Sequence, residues 1–314
     1  MLLLKDEELM ELINYEEVIE WMREIFEAYQ LGKVVMPLRI NMEIKERDGT
    51  LLVMPCYLKG EEEALSCKLV SIYPKNQFKD TTQAWLLLFD VKDGSLLSLM
   101  DAKYITMVRT ACCSALATKL LSRRDSSLLS IIGTGKQAKA HLEAFSKVMN
   151  IEELKVYSPN PEHREAFVKF AEEEFNFKAK AMNNALECLD CDVLVTATTS
   201  KEPLFDGSLV KEGTHINAIG SHSPSFRELD DKVIKKGKIV VDSKEAALKE
   251  AGELLIPIKE GIFDERIIYA ELGEIIIGKK KGRERDDEIT IFKSLGLAME
   301  DAICAIKLYK KIKR

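Results

Sequence analysis

The sequence predicts an α/β protein in which a Rossmann-type doubly wound sheet is joined to an α+β N-terminal domain. Three observations carry this expectation. Across residues 125 to 285, short strand candidates alternate with helix-like stretches, the pattern of a parallel sheet with helices on both faces. A glycine-rich turn, Gly133-Thr134-Gly135-Lys136-Gln137-Ala138, stands between the first of those strands and the first of those helices. Ahead of it the chain changes period twice, from helical spacing to short apolar runs and back.

The first thirty residues read as helix: Leu9, Leu12 and Ile13, then Val18, Trp21, Met22, Ile25 and Phe26, recur at helical spacing, and Gly32 ends the second helix. From Val34 to Leu99 the apolar runs are short and broken by turn signals such as Asp48-Gly49 and Asp93-Gly94, which predicts a mostly antiparallel sheet. A connecting helix is expected over 106–121. Strand candidates then follow at Leu128–Ile132, Leu154–Tyr157, Lys178–Met182, Val193–Thr196, His215–Ile219 and Lys238–Val241. Helical candidates between them are Gln137–Met149, Pro161–Phe175 and Asn184–Leu189. The charged run 278–285 reads as an exposed turn, and Ile289 to Tyr309 as a last amphipathic helix with a basic tail that complements its dipole. The expected division is therefore 1–112 with 289–314 in one domain and 113–288 in the dinucleotide-binding domain.

Composition excludes several classes. A net charge of -6 argues against nonspecific nucleic-acid binding, and no apolar run approaches the ~20 residues that span a bilayer. Met1-Leu2-Leu3-Leu4 is too short for a signal peptide and is followed by Asp6, Glu7 and Glu8, so a cytoplasmic location is expected. The cysteines, seven in all, are an odd number for a disulfide framework, and Cys188 and Cys191 lack the companions of a metal site, so no metal is expected. Small buried residues are the plainer reading of that pair.

The glycine turn carries the first chemistry. Gly133 permits a tight turn, Gly135 lets a pyrophosphate approach the backbone, and Ala138 lets the helix pack closely on its strand. The helix N-terminus offers N–H groups and a positive dipole end to the phosphates. The ribose-reading residue should follow the strand at 154–157, where the chain has Ser158-Pro159-Asn160-Pro161-Glu162-His163-Arg164 and no acid at the expected place. Ser158 stands there, and Arg164 is near enough to meet a 2′-phosphate, so NADP(H) is favoured over NAD(H); Arg164 reads equally as a solvated helix residue. Thr196-Ala197-Thr198 and Ile219-Gly220 end two further strands at the edge where ligands bind in such sheets, with small residues that admit a nicotinamide.

Six fragments occur in order: Met36-Pro37-Leu38-Arg39, Cys67-Lys68-Leu69-Val70, Arg109-Thr110-Ala111, Gly133–Ala138, Asn217–Leu229 and Phe292-Lys293-Ser294-Leu295-Gly296. Together they resemble the ornithine cyclodeaminase/mu-crystallin family over nearly the whole chain. The resemblance implies an N-terminal domain that binds substrate, forms a homodimer and is completed by the C-terminal helix. It implies activities among ornithine cyclodeamination, alanine dehydrogenation and reduction of ketimine or cyclic imine carboxylates. Mu-crystallin relatives also bind NADPH and thyroid hormone. By matching motifs, Arg39, Lys68 and Arg109 form a substrate clamp, Arg109 also touching cofactor. Thr81 and Ser294 match positions that touch cofactor or substrate. A bidentate Arg suits an α-carboxylate and a Lys adds a movable point charge, although each of the three also reads as a surface charge.

One departure bears on activity. Cyclodeaminases resemble each other in a Gly-x-Asp whose Asp accepts and returns a proton, whereas this chain reads Gly220-Ser221-His222, and Phe226 replaces a family lysine. A histidine can shuttle a proton but cannot brace a substrate ammonium with negative charge; it can also be a plain wall residue. The expected function is an NAD(P)H-dependent oxidoreductase acting on a small α-imino or α-amino carboxylate, with Lys68 and His222 as catalytic residues. The alternatives are a cyclodeaminase using catalytic NAD and a mu-crystallin-like binding protein.

Overall fold

The computed structural model describes residues 1–313 and divides them into two compact units, Met1–Arg109 with the stretch from Gly296 onward, and Thr110–Leu295. The strands are β1 (Leu2–Leu4), β2 (Val34–Val35), β3 (Ile40–Ile44), β4 (Gly49–Leu58), β5 (Ala64–Ile72), β6 (Thr82–Phe89), β7 (Leu96–Asp101), β8 (Leu128–Ile132), β9 (Glu153–Tyr157), β10 (Lys178–Ala181), β11 (Val193–Thr196), β12 (His215–Ala218), β13 (Lys238–Val241), β14 (Ile268–Glu271) and β15 (Thr290–Lys293). The α-helices are α1 (Asp6–Leu12), α2 (Tyr15–Gln30), α3 (Lys103–Leu121), α4 (Lys136–Ser146), α5 (Pro161–Phe175), α6 (Asp231–Lys236), α7 (Lys244–Glu250), α8 (Gly252–Lys259), α9 (Leu272–Ile276) and α10 (Ala298–Lys313).

In the first unit, β4 to β7 form an antiparallel meander whose side chains alternate between the two faces. Leu52, Met54, Cys56, Ser66, Lys68, Val70, Leu86, Leu88 and Met100 are buried on the face that α10 covers, with α2 packed against α10. The helix expected over the first thirty residues does not reach Leu2–Leu4, which form β1 and pair parallel with β7. A run of only three leucines carries no period that separates strand from helix.

In the second unit eight strands pair in the order β10-β9-β8-β11-β12-β15-β13-β14, all parallel. The central strands β8, β11 and β12 are buried almost throughout, whereas β9 and β10 toward the edge alternate. The expected helix from Ile289 is corrected: 290–293 is β15, inserted between β12 and β13, and α10 begins only at Ala298 after Gly296 at φ +76°. Four successive buried residues, Thr290 to Lys293, fit a doubly covered strand as well as a helix, and sheet insertion decides between them. Cys188 and Cys191 are buried, and burial pushes both thiols to about 12. Among the described residues no helix is long and apolar enough to cross a membrane.

Two histidines are locked neutral inside this unit. His141 contacts Ser114 Oγ at 3.0 Å and the Gln137 carbonyl at 2.8 Å, and burial lowers it to about 4. His215 meets Thr290 Oγ1 at 2.9 Å, and burial with nearby Arg283 lowers it to about 3. Both are depressed below the unfolded value of about 6.5, so the unfolded chain takes up their protons first. Their contribution is full above pH ~6.5 and is lost as pH falls toward the folded values. The two together should remove about 3–4 kcal/mol of stability between pH ~7 and ~5. Denaturant midpoints across that range check this, and His141→Gln should abolish about half of the slope; an unchanged slope in the variant would exclude His141 as its source.

Candidate active site

The cofactor-like edge belongs to the second unit. β8 ends at Gly133, whose φ of +114° excludes most side chains, and a Cβ there would lie 2.3 Å from the Ala197 carbonyl oxygen. The edge is stitched by backbone bonds: Gly133 N–H donates to Tyr157 at 2.8 Å and Ala197 N–H to Ile132 at 2.8 Å. Gly135 is the N-cap of α4; among the described residues no side chain caps that helix, and none lies within 4 Å of where a Gly135 Cβ would be. An uncapped helix N-terminus beside open space fits a phosphate group. Ala138 is fully buried among Leu129, Ile131 and Val193, so the close helix-to-sheet packing expected of it is present. Thr134 is half-buried, and Gln137 has a buried side-chain oxygen with no hydrogen-bond partner among the described residues.

The end of β9 holds Ser158 and Arg164 together. Arg164 Nη1 donates to the Ser158 carbonyl at 3.0 Å and Nη2 to Asn183 Oδ1 at 3.5 Å, so the guanidinium is turned toward the strand end. Asn160 instead caps α5 by accepting from Glu162 N–H at 2.9 Å. At the neighbouring strand ends, Thr196, Thr198 and Gly220 all donate to the carboxylate of Glu228, which sequence reading passed over. His222 is exposed on the loop beyond Gly220. Ser294 is buried at the end of β15, its hydroxyl 3.5 Å from Asp242 Oδ2.

The first unit holds the buried charges. Lys68 on β5 places Nζ 2.7 Å from Asp301 Oδ2 and 3.2 Å from Thr106 Oγ1. Arg109 on α3 pairs with the other oxygen of Asp301 at 3.2 Å and with Glu300 at 2.8 Å. Glu300 in turn accepts from Leu297 N–H at 2.9 Å at the start of α10. Gly296 leaves room for this: a Cβ there would lie 2.4 Å from Arg109 Nη1. Two cations thus face two carboxylates in a site closed to water. Burial, with Arg109 adding to it, pushes Lys68 down to about 8, and Asp301 pulls it back up. An ammonium has three protons, and Asp301 and Thr106 take two. Arg39 is half-buried and Thr81 exposed, and both belong to the same unit.

The family model of the ornithine cyclodeaminase/mu-crystallin family matches residues 1–314. The chain belongs to that family. It is 40% identical over 315 residues to a Delta(1)-pyrroline-2-carboxylate reductase of Bacillus cereus, covering 99% of this chain and 96% of the relative. It is similar to the structure of Thermococcus litoralis Delta(1)-pyrroline-2-carboxylate reductase in complex with NADH and L-proline, at 44% identity and TM-score 0.97, covering 100% of this chain and 98% of the other. An archaeal alanine dehydrogenase dimer with bound NAD matches at 38% identity and TM-score 0.94, over 100% of this chain and 96% of that one.

Within this family member, three acids were missed by sequence reasoning: Glu228, Glu300 and Asp301. The last two follow Gly296 and Leu297 within an otherwise apolar run. Their signal was present only as acids on the buried stripe of α10, beside Met299, Ala302 and Ile303. Glu228 lies inside the Asn217–Leu229 fragment, but nothing in that fragment marks it as buried or as a bridge between strand ends.

Proposed function

We propose that the protein is an NAD(P)H-dependent reductase of a small cyclic imine carboxylate of the Δ1-pyrroline-2-carboxylate class. The observation that carries the reading is the uncapped, open N-terminus of α4 at Gly135. It lies in a chain 44% identical, end to end, to a pyrroline-carboxylate reductase seen with NADH and L-proline. Bound at that edge, the reduced nicotinamide supplies the hydride. Arg39, Lys68 and Arg109 hold the substrate carboxylate. Fixing the carboxylate orients the C=N carbon, which is itself a large part of rate enhancement. His222, exposed, or water delivers a proton to the imine nitrogen as the carbon is reduced. The reading keeps the cytoplasmic location expected from the sequence.

The same reading makes the protein a homodimer. The uncovered face of the first unit's sheet is apolar: Leu51, Val53, Leu69, Leu87 and Leu99 are half-buried, and Trp85 is exposed. Ile40 and Met42 extend that exposed apolar surface on β3. An apolar patch of this kind on one sheet supports a homodimer built through it.

The deciding experiment supplies Δ1-pyrroline-2-carboxylate with NADH or NADPH and follows loss of reduced cofactor with appearance of proline. Ornithine with catalytic NAD should give no proline, because the acid that braces its ammonium is replaced by His222. Stoichiometric proline and ammonia from ornithine would restore a lyase. No turnover on a panel that includes pyruvate with ammonia would leave a binding protein.

Cofactor choice makes a separate prediction. With Ser158 and Arg164 at the end of β9, NADPH should bind more tightly than NADH. Ser158→Asp should reverse the order by at least about tenfold, through repulsion of the 2′-phosphate. Fluorescence titration of both cofactors checks it, and a wild type that prefers NADH would remove Arg164 from the phosphate site.

A further inference from the structure

Glu228 is fully buried, and its two oxygens take four donors. Oε2 accepts from Thr196 Oγ1 at 2.8 Å and from Gly220 N–H at 2.8 Å. Oε1 accepts from Thr198 N–H at 2.7 Å and from Thr198 Oγ1 at 2.7 Å. Each oxygen therefore faces one backbone N–H, which cannot reverse its role as a hydroxyl can. A glutamine would have to turn its NH₂ against one of those two N–H groups, whichever way its amide was set. A protonated acid can satisfy both only by aiming its proton at a hydroxyl oxygen, which must then turn its own proton elsewhere. Burial pushes this acid up, and Lys293 with the Thr196 and Thr198 donors works against that, so the fixed N–H groups favour the carboxylate.

The carboxylate is backed by a second layer. Glu228 N–H donates to Glu253 Oε1 at 3.2 Å, and Glu253 Oε2 lies 3.3 Å from Lys293 Nζ. Lys293 donates in turn to the Ser221 carbonyl, the residue before His222. Ser221 Oγ closes the loop onto the Phe226 carbonyl at 2.7 Å. Gly252 packs so closely beneath that a Cβ would meet the Phe226 carbonyl oxygen at 1.9 Å. Gly220 has no room either, with Glu228 Oε1 2.3 Å from its would-be Cβ. Three buried charges, two negative and one positive, cost desolvation that an apolar filling would avoid. What they provide is one fixed geometry: the end of β11 is tied to the end of β12, and the chain leading into His222 is held from behind.

We infer that Glu228 is a positioning residue for the nicotinamide edge and for the His222 loop, with Lys293 and Glu253 holding it in place. The inference rests on reading this edge as the cofactor site. It assigns Glu228 no contact with substrate: its effect passes through the Thr198 and Gly220 amides and the loop that follows them. The residue therefore governs how often the edge is in the reactive arrangement, and turnover should respond more than substrate affinity.

The test compares wild type with Glu228→Gln and Thr198→Val, the second removing one donor hydroxyl while sparing the backbone. Amide hydrogen exchange on cofactor-free protein should show at least about tenfold faster exchange at Thr198 and Gly220 in Glu228→Gln. In that variant kcat should fall at least about tenfold with KM for the imine acid nearly unchanged, and NADH should bind more weakly. Thr198→Val should move the same quantities less, and it keeps the question open to decision if Glu228→Gln does not fold. Wild-type exchange and kcat in either folded variant overturn the inference, as does an early-melting variant whose turnover is intact. Failure of wild type itself to bind NADH would instead defeat the functional reading, while the exchange measurement still decides whether Glu228 orders this edge.

Discussion

Arg109→Ala should lower the stability of the protein by about 3–5 kcal/mol, the cost of leaving a buried charge without its partner. Arg109 neutralises both Glu300 and one oxygen of Asp301, and Asp301 and Glu300 are fully buried. Removing the guanidinium strands two carboxylates beside a single ammonium, Lys68, and it empties the space that Gly296 leaves for it. Activity should fall as well. Loss of a charge-assisted bond to the substrate carboxylate is expected to reduce kcat/KM by about two orders of magnitude at temperatures where the variant stays folded. Arg109→Lys should recover part of the stability, because charge is restored, but less of the activity, because the two-pronged geometry is lost. Chemical denaturation and steady-state kinetics measure the two effects separately. A loss of stability below about 1 kcal/mol would mean that water reaches the cluster, and the description of a dry four-charge site would fail.

Gly133→Ala and Gly135→Ala should part company, although both belong to the same turn. At Gly133 the φ of +114° strains any side chain, and the added Cβ would meet a backbone oxygen at 2.3 Å, an atom that cannot swing away. Strain and overpacking together should cost about 2–5 kcal/mol and open the edge between β8 and β11. At Gly135 the backbone is extended, with φ −76° and ψ −174°, and a methyl group meets nothing within 4 Å. Stability should change by less than about 1 kcal/mol there, the range expected when an N-cap glycine becomes alanine. The methyl would stand where a pyrophosphate approaches the helix, so NAD(P)H affinity should drop by at least about tenfold while the melting temperature barely moves. Calorimetric melting and cofactor titration on the two variants give the comparison. A Gly135→Ala protein with unchanged cofactor affinity would take the pyrophosphate away from this turn.

Several features were legible in the residues alone because they rest on local physics. The period of Val18, Trp21, Met22, Ile25 and Phe26 makes α2. Pro161 at the first turn and Asn160 before it set the start of α5, and the expected bounds Pro161–Phe175 coincide with those found. The six strand candidates after 128 all pair in the parallel sheet, the central ones as short apolar runs bounded by turns. Gly133 read as the residue that permits a tight turn, and in the structure it takes a φ of +114°. The cations Lys68 and Arg109 could be named from their motifs.

What surrounds those cations could not be read along the chain. Arg109 meets Asp301 across a separation of 192 residues, and Glu300 across 191. A carboxylate's charge looks the same in sequence whether it faces water or a buried guanidinium. Only the return of α10 over β4 and β5 made Glu300 and Asp301 interior residues, set beside a Lys68 ammonium that burial and Arg109 draw down to about 8. The same holds for β15, whose apolar run suits helix or strand until β12 and β13 supply hydrogen bonds on either side. It holds for Glu228, ordinary as a letter, which became a bridge when β11 and β12 ended side by side with their amides pointing at one buried carboxylate. Local propensity and turn chemistry act within a few residues and are written in the sequence. The identity of a partner, and with it the charge state and the freedom of a side chain, is set by topology.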